Sequence, residues 1–283
     1  MSRRNHNSRN RKDTRDQKAD EWGIRMLIVA VLLAMVGMGV SFYLRTNALE
    51  IDKKTFCPKS GVTSITALLI DATDNLSIQQ KQAFLTSFQS LRDSIPLHGR
   101  LDLYFIHSTQ SSLLKPVVSL CNPGHGDEIG PLTGNPRHVE QIWQEGFGQP
   151  LEREISQLLE ASPEKESPIM ESIQSVVLTS LSEPSLRDKP KKLIIVSDLM
   201  QHTPNLSLYR RAPATDTFIQ NKSFERMKSD LRDIDISVWM LMRDNALNRS
   251  KLAELWQRIF AEQGAQTAYF CVLVESNGCQ NDR

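Results

Sequence analysis

The sequence predicts an α/β fold, with an open, mostly parallel sheet carrying helices on both faces and an antiparallel edge hairpin, preceded by one transmembrane helix. Three observations carry that reading. A run of nineteen uncharged residues, 26–44, comes before everything that reads as globular. Beyond it, short apolar runs alternate with segments of helical periodicity, which is the pattern of βαβ units. The first of them, with Ala67-Leu68-Leu69-Ile70, is an apolar run suited to a sheet covered on both faces.

The uncharged run MLIVAVLLAMVGMGVSFYL is long enough to cross a hydrocarbon core as a helix. No A-x-A-like cleavage site follows it, so it reads as a signal anchor and not as a removable leader. Residues 1–25 hold eight Lys/Arg against four Asp/Glu, leaving 26 basic and 29 acidic residues for the rest of the chain. The basic flank predicts a cytoplasmic N-terminus, with the C-terminal domain on the far side. The chain is therefore expected in a bacterial inner membrane, single-pass, with a periplasmic domain. The mildly acidic remainder shows no electrostatic footprint for nucleic acid.

The elements follow in order. Residues 45–62 read as a linker ending near Pro58 and Gly61. The strand 64–70 ends on Asp71. Ser77 with Gln80 forms a capping box ahead of Phe84, Phe88, Leu91 and Ile95 at helical spacing. The strand 101–106 and the run 114–120 are close enough to pair as a hairpin. The stretch 121–165 reads as a loop and helical insertion, with helices opening at Asn135-Pro136 and running over about 150–161. Ser167-Pro168 opens a further helix, and 191–196 is the next strand, ending at Ser197-Asp198. An irregular loop to about Asp216, a helix at 221–233, a strand at 235–242, a helix at 249–262 and a last strand at 266–274 complete a domain over 63–276, with a short tail at 277–283.

All four cysteines (Cys57, Cys121, Cys271, Cys279) lie beyond the span, in the compartment where disulfides persist. Of the three pairings open to them, Cys57–Cys121 and Cys271–Cys279 are expected. The first would tie the segment entering the first strand to the loop after the edge hairpin, and the second would close a short turn.

Three loops then stand out: Asp71-Ala-Thr73-Asp-Asn75, Ser167-Pro-Ile-Met-Glu171, and Ser197-Asp198. In a parallel sheet the strand ends face the ligand crevice, so carboxylates placed there are candidate site residues. The order of these loops resembles the von Willebrand factor type A (VWA) domain, a Rossmann-like fold, over about residues 63–275. In that family a D-x-S-x-S loop, a middle-loop hydroxyl and a later Asp form a metal-ion-dependent adhesion site. The resemblance implies Asp71 at the first position, Thr73 at the second, Ser167 as the middle hydroxyl and Asp198 as the later carboxylate. Asn75 stands where the family has Ser, which makes the site degenerate, although an amide oxygen can still meet a hard cation. Mg2+ or Mn2+ is the implied ion, since oxygen ligands suit hard cations.

No G-x-S-x-G, H-E-x-x-H, Walker or dinucleotide-binding glycine pattern occurs. The sequence is thus read as a membrane-anchored, non-enzymatic interaction module that binds protein partners in an envelope complex through the top of its sheet. The alternatives are a metal-dependent hydrolase using the Asp71/Asp198 crevice, and a scaffold with a dead metal site. A scaffold would present its partner surface on 199–216 or 121–165.

Overall fold

The computed structural model describes residues 7–46, 49–71, 73, 76–108, 113–130, 134–160, 165–204, 206–209, 218–243, 249–273 and 279. They fall into two compact units, Met1–Glu50 and Ile51–Arg283. The first unit holds α1 (Asn7–Thr46). Within it, Arg25–Tyr43 is the one helix among the described residues long and apolar enough to cross a membrane, with mean hydropathy 2.3. Nineteen helical residues span about 28 Å, close to the thickness of a hydrocarbon core.

The second unit is built on six strands: β1 (Ile65–Ile70), β2 (Arg100–Phe105), β3 (Val118–Cys121), β4 (Lys191–Ser197), β5 (Ile234–Met240) and β6 (Ala268–Val272). Their order across the sheet is β3-β2-β1-β4-β5-β6. Every neighbouring pair is parallel except β2–β3, which is the expected antiparallel edge. That edge strand is shorter than the run 114–120, because Pro116 has no N–H to give a ladder.

Both faces of the sheet are covered, which is why the strands read as largely apolar runs. Ile65, Ala67 and Leu69 of β1 join one core, with Ile173, Val176, Trp256 and Ile259. Leu68 and Ile70 join the other, with Phe84, Phe88, Trp143, Phe147 and Leu151. The first core is closed by α5 (Ile169–Val176), α6 (Lys222–Met227) and α7 (Arg249–Ala261). The second is closed by α2 (Ile78–Ser94), α3 (Pro136–Trp143) and α4 (Gln149–Leu158). The capping box forms as expected: the Ser77 hydroxyl accepts from the Gln80 N–H at 3.2 Å, and Gln80 Oε1 accepts from the Ser77 N–H at 2.9 Å.

Three local features depart from the sequence reading. The helices α3 and α4 form one rod, joined by a π-helical turn at Gln144–Gly148. Phe56 packs its ring against Gly146, where a β-carbon would overlap it. Phe56 itself holds a left-handed backbone (φ 58°), which a bulky residue adopts only when its surroundings require it. The second departure is α6, which stops at Met227, short of the expected 233. Gln263 takes the next backbone donors instead, its Oε1 accepting from Ser229 N–H and its carbonyl from Leu231 N–H. The third concerns the expected linker 45–62, because its residues from Ile51 onward belong to the folded unit. Ile51 bridges to Pro58, and Cys121 N–H donates to the Thr55 carbonyl at 2.8 Å.

Both expected disulfides are present, Cys57–Cys121 and Cys271–Cys279, and no described cysteine is free. The paired cysteines are 64 and 8 positions apart in sequence. Loop closure removes more entropy from the unfolded chain when the loop is longer, so the model for that effect gives about 4 kcal/mol for the first and about 2.5 for the second. Replacing Cys57 and Cys121 by Ser should therefore lower the urea midpoint more than the same change at Cys271 and Cys279. Equal losses would refute the loop-entropy account.

Asp102, 1% exposed in mid-strand, is the one carboxylate in the interior of β2. It accepts from the hydroxyls of Ser119 and Ser180, each at 2.6 Å, and lies 3.3 Å from Arg100 Nε. Burial raises its pKa, against the lowering effect of Arg100 and the two hydroxyls. The folded protein thus holds this proton more tightly than the unfolded chain. The contribution to stability is complete below the unfolded value of about 3.9 and is lost as pH rises through the higher folded value. Asp102→Asn should flatten the urea-midpoint profile across that window. A profile of unchanged slope would show that Asp102 does not titrate there.

Candidate functional site

The strand order reverses direction of winding between β1 and β4, and the crevice beyond the strand ends at such a switch point is where open α/β sheets bind ligands. Asp71 follows β1 directly, its N–H donating to the Val196 carbonyl at 2.8 Å. Asp198 follows β4. Topology alone therefore sets two carboxylates side by side at the crevice, each only 5% exposed.

Three hydroxyls converge on Asp71. Thr73 Oγ1 donates to Oδ1 at 2.6 Å, and the Thr73 N–H to the same oxygen at 3.1 Å. Ser167 Oγ donates to Oδ2 at 2.8 Å, and Ser197 Oγ to Oδ2 at 2.9 Å. The structure thus brings Thr73 and Ser167 onto Asp71, and puts Asp198 just beyond the end of the neighbouring strand β4. Asn75 lies outside the described residues. Ser197 is an addition, overlooked because a serine ending an apolar strand is an ordinary strand residue until its neighbour across the sheet is known.

Ser167 does not cap its helix. Gln201 does so, its Oε1 accepting from the Met170 N–H at 2.9 Å, while its Nε2 donates to Glu171. Ser167 and His202 exchange both backbone hydrogen bonds at 2.9 Å, which fixes the middle loop against the loop after β4. With the helix start satisfied elsewhere, the Ser167 hydroxyl is available to Asp71.

Asp198 is held differently. Its Oδ1 accepts from the Met200 N–H at 2.9 Å, and its Oδ2 lies 2.5 Å from Arg243 Nε. Between these bonds the chain makes a left-handed turn at Leu199 (φ 63°), a residue with no exposed surface. Such a conformation costs about 1–3 kcal/mol for a non-glycine residue and persists only where neighbours over-determine it. Here Ser197 Oγ accepts from the Leu199 N–H at 2.8 Å, and Trp256 Nε1 donates to the Leu199 carbonyl at 3.0 Å. Arg243 reaches Asp198 from the end of β5. That segment is fixed by Leu241 N–H donating to the Ser197 carbonyl and Gln80 Nε2 donating to the Met242 carbonyl at 2.7 Å.

The rim carries exposed apolar side chains, Ile78 at the start of α2 and Met242 beside Arg243. Tyr209, also exposed, stacks edge-on against His202. A polar cleft of about 430 Å³ lined by Lys191, Asp230, Arg232 and Asp233 lies at the opposite ends of the strands, where β4 and β5 begin. Its charges are largely matched internally, Arg232 bonding Asp230 twice.

The donor set around Asp71 is all oxygen and suits a hard cation. The Asp198 half does not accommodate one as it stands, because the Oδ2 a divalent ion would take already faces a guanidinium. Among the described residues, no group of three or more His, Cys, Asp and Glu side chains is placed to hold a metal.

No protein-family model matches the chain, and no curated protein does. Among solved structures, the chain is similar to an aerotolerance-related membrane protein from Bacteroides fragilis NCTC 9343 carrying multiple mutations to serines. That likeness has a TM-score of 0.33 and 11% identity, and covers 76% of this chain and 92% of the other. It is also similar to the conserved hypothetical protein BatB from Bacteroides thetaiotaomicron, with a TM-score of 0.34, 10% identity, and coverage of 76% and 92%. Similarity this slight transfers nothing to this chain.

The Ser167–Asp71 contact is a buried hydrogen bond to a charged group, a kind worth about 1.5–3 kcal/mol. A double-mutant cycle of Ser167→Ala and Asp71→Ala, followed by urea denaturation, should give a coupling energy in that range. Additive losses would show that the contact contributes nothing in solution.

Proposed function

We propose that this chain is a single-pass, membrane-anchored VWA-like interaction module that presents its α/β domain outside the cytoplasm and binds a protein partner at the top of the sheet. The observation that carries the reading is the arrangement at the switch point. Two buried carboxylates, three converging hydroxyls and one arginine form a crevice without slack, bordered by the exposed apolar residues Ile78 and Met242. Met and Arg, supplied here by Met242 and Arg243, are among the residues enriched at protein-recognition surfaces.

Binding is favoured over turnover by the same contacts. Asp71 receives hydrogen bonds on both oxygens and Asp198 contacts on both of its own, so neither is poised to take a proton from a substrate or from water. The extracytoplasmic placement is supported by the charge bias before Arg25–Tyr43 and by the pairing of all four cysteines as disulfides. An envelope-associated complex of the bacterial inner membrane is the setting these features suit.

A photoreactive benzoylphenylalanine placed at Ile78 or Met242 in the membrane-anchored protein tests the reading. The expected result is a discrete protein adduct from both positions, lost on Asp71→Ala, and none from Leu178, an exposed residue in the π turn that follows α5. Equal labelling from all three positions, or none from the crevice, would reject it.

A further inference from the structure

We infer that Arg243 is the resident cation of the crevice, standing where a site of this design would otherwise take a divalent ion, so that the crevice works without metal. The inference deepens the binding-module reading and rests on the same crevice.

The geometry is specific. All four carboxylate oxygens of Asp71 and Asp198 already receive a donor or a cation from the chain: Thr73 on Asp71 Oδ1, Ser167 and Ser197 on Asp71 Oδ2, Met200 N–H on Asp198 Oδ1, and Arg243 on Asp198 Oδ2. A magnesium or manganese ion reaching Asp198 Oδ2 would have to displace an ion-pair contact of 2.5 Å and then sit beside the displaced positive charge. Magnesium also gives up its hydration water reluctantly, and so competes poorly for a ligand that must first be vacated.

Arg243 is also held in place. Hydrogen bonds from Leu241 N–H to the Ser197 carbonyl and from Gln80 Nε2 to the Met242 carbonyl anchor its backbone over the end of β4. Its side chain is 33% exposed while that of Asp198 is only 4% exposed, so the guanidinium lies between the buried carboxylate and the crevice mouth. A guanidinium stays charged at every pH a protein survives, which makes it a cation that neither a chelator nor acid removes.

The test is manganese titration of the full chain in detergent, read by the loss of the free Mn2+ paramagnetic signal, with magnesium as competitor. Wild type and Arg243→Lys are expected to show no stoichiometric site. Arg243→Gln is expected to gain one Mn2+ per chain, at least about tenfold tighter than wild type, and Arg243→Gln with Asp198→Asn to lose it again. A wild-type site as tight as that of Arg243→Gln, or no gain in Arg243→Gln, overturns the inference. Should Arg243→Gln fail to fold, the wild-type titration decides alone: one bound Mn2+ overturns the inference and none supports it. Adduct formation from Ile78 tests the binding module separately, so loss of adducts counts against that reading and leaves the manganese result to judge this one.

Discussion

The top of this sheet is organised by one electrostatic constraint, the burial of two carboxylates at the ends of adjacent parallel strands. Removing a carboxylate from water costs several kcal/mol unless its lone pairs and charge are met, and two like charges side by side add to that. Every contact at the crevice answers this cost. Asp71 is met by three hydroxyls and a backbone N–H, and Asp198 by a backbone N–H and a guanidinium. A buried hydrogen bond to a charged group contributes a net of about 1.5–3 kcal/mol, so the three hydroxyls on Asp71 favour its burial. The strained Leu199 turn is stabilised as part of the same arrangement, since Ser197 Oγ both bonds Asp71 and accepts from the Leu199 N–H.

The constraint spreads outward through shared partners. Ser167 reaches Asp71 because Gln201 takes over the helix start and His202 fixes the loop. Gln201 and His202 lie beyond the Leu199 turn, whose shape depends on Trp256 in α7. One buried pair of charges thus links β1, β4, α5, α7 and the segment after β5. A site tied to so many elements is pre-organised, and pre-organisation favours recognition because little ordering remains to be done on binding.

This also explains what could be read in the sequence and what could not. The strands were legible because a sheet covered on both faces favours continuous apolar runs, and Ala67–Ile70 and Leu193–Val196 announce themselves that way. Asp71, Thr73, Ser167 and Asp198 were legible because they stand where such strands end or a helix begins. Ser197 and Arg243 were not, because their roles arise from neighbours across the sheet, which no local pattern encodes. The π turn at Gln144–Gly148 was hidden for a similar reason. The ring of Phe56, far away in sequence, packs against it at Gly146, and the apolar spacing of the two flanking helices does not encode that contact.

The segment that precedes β1 is seated on the domain by partners far along the chain. Cys57 is bonded to Cys121, Phe56 is seated against Gly146, and Thr55 accepts from Cys121. The composition of 51–62 does not announce this, because every one of those partners lies more than sixty positions further on. Closing the Cys57–Cys121 loop removes freedom from the unfolded chain, while the Thr55 and Phe56 contacts hold the same segment in the folded one, so the covalent and non-covalent links act in the same direction.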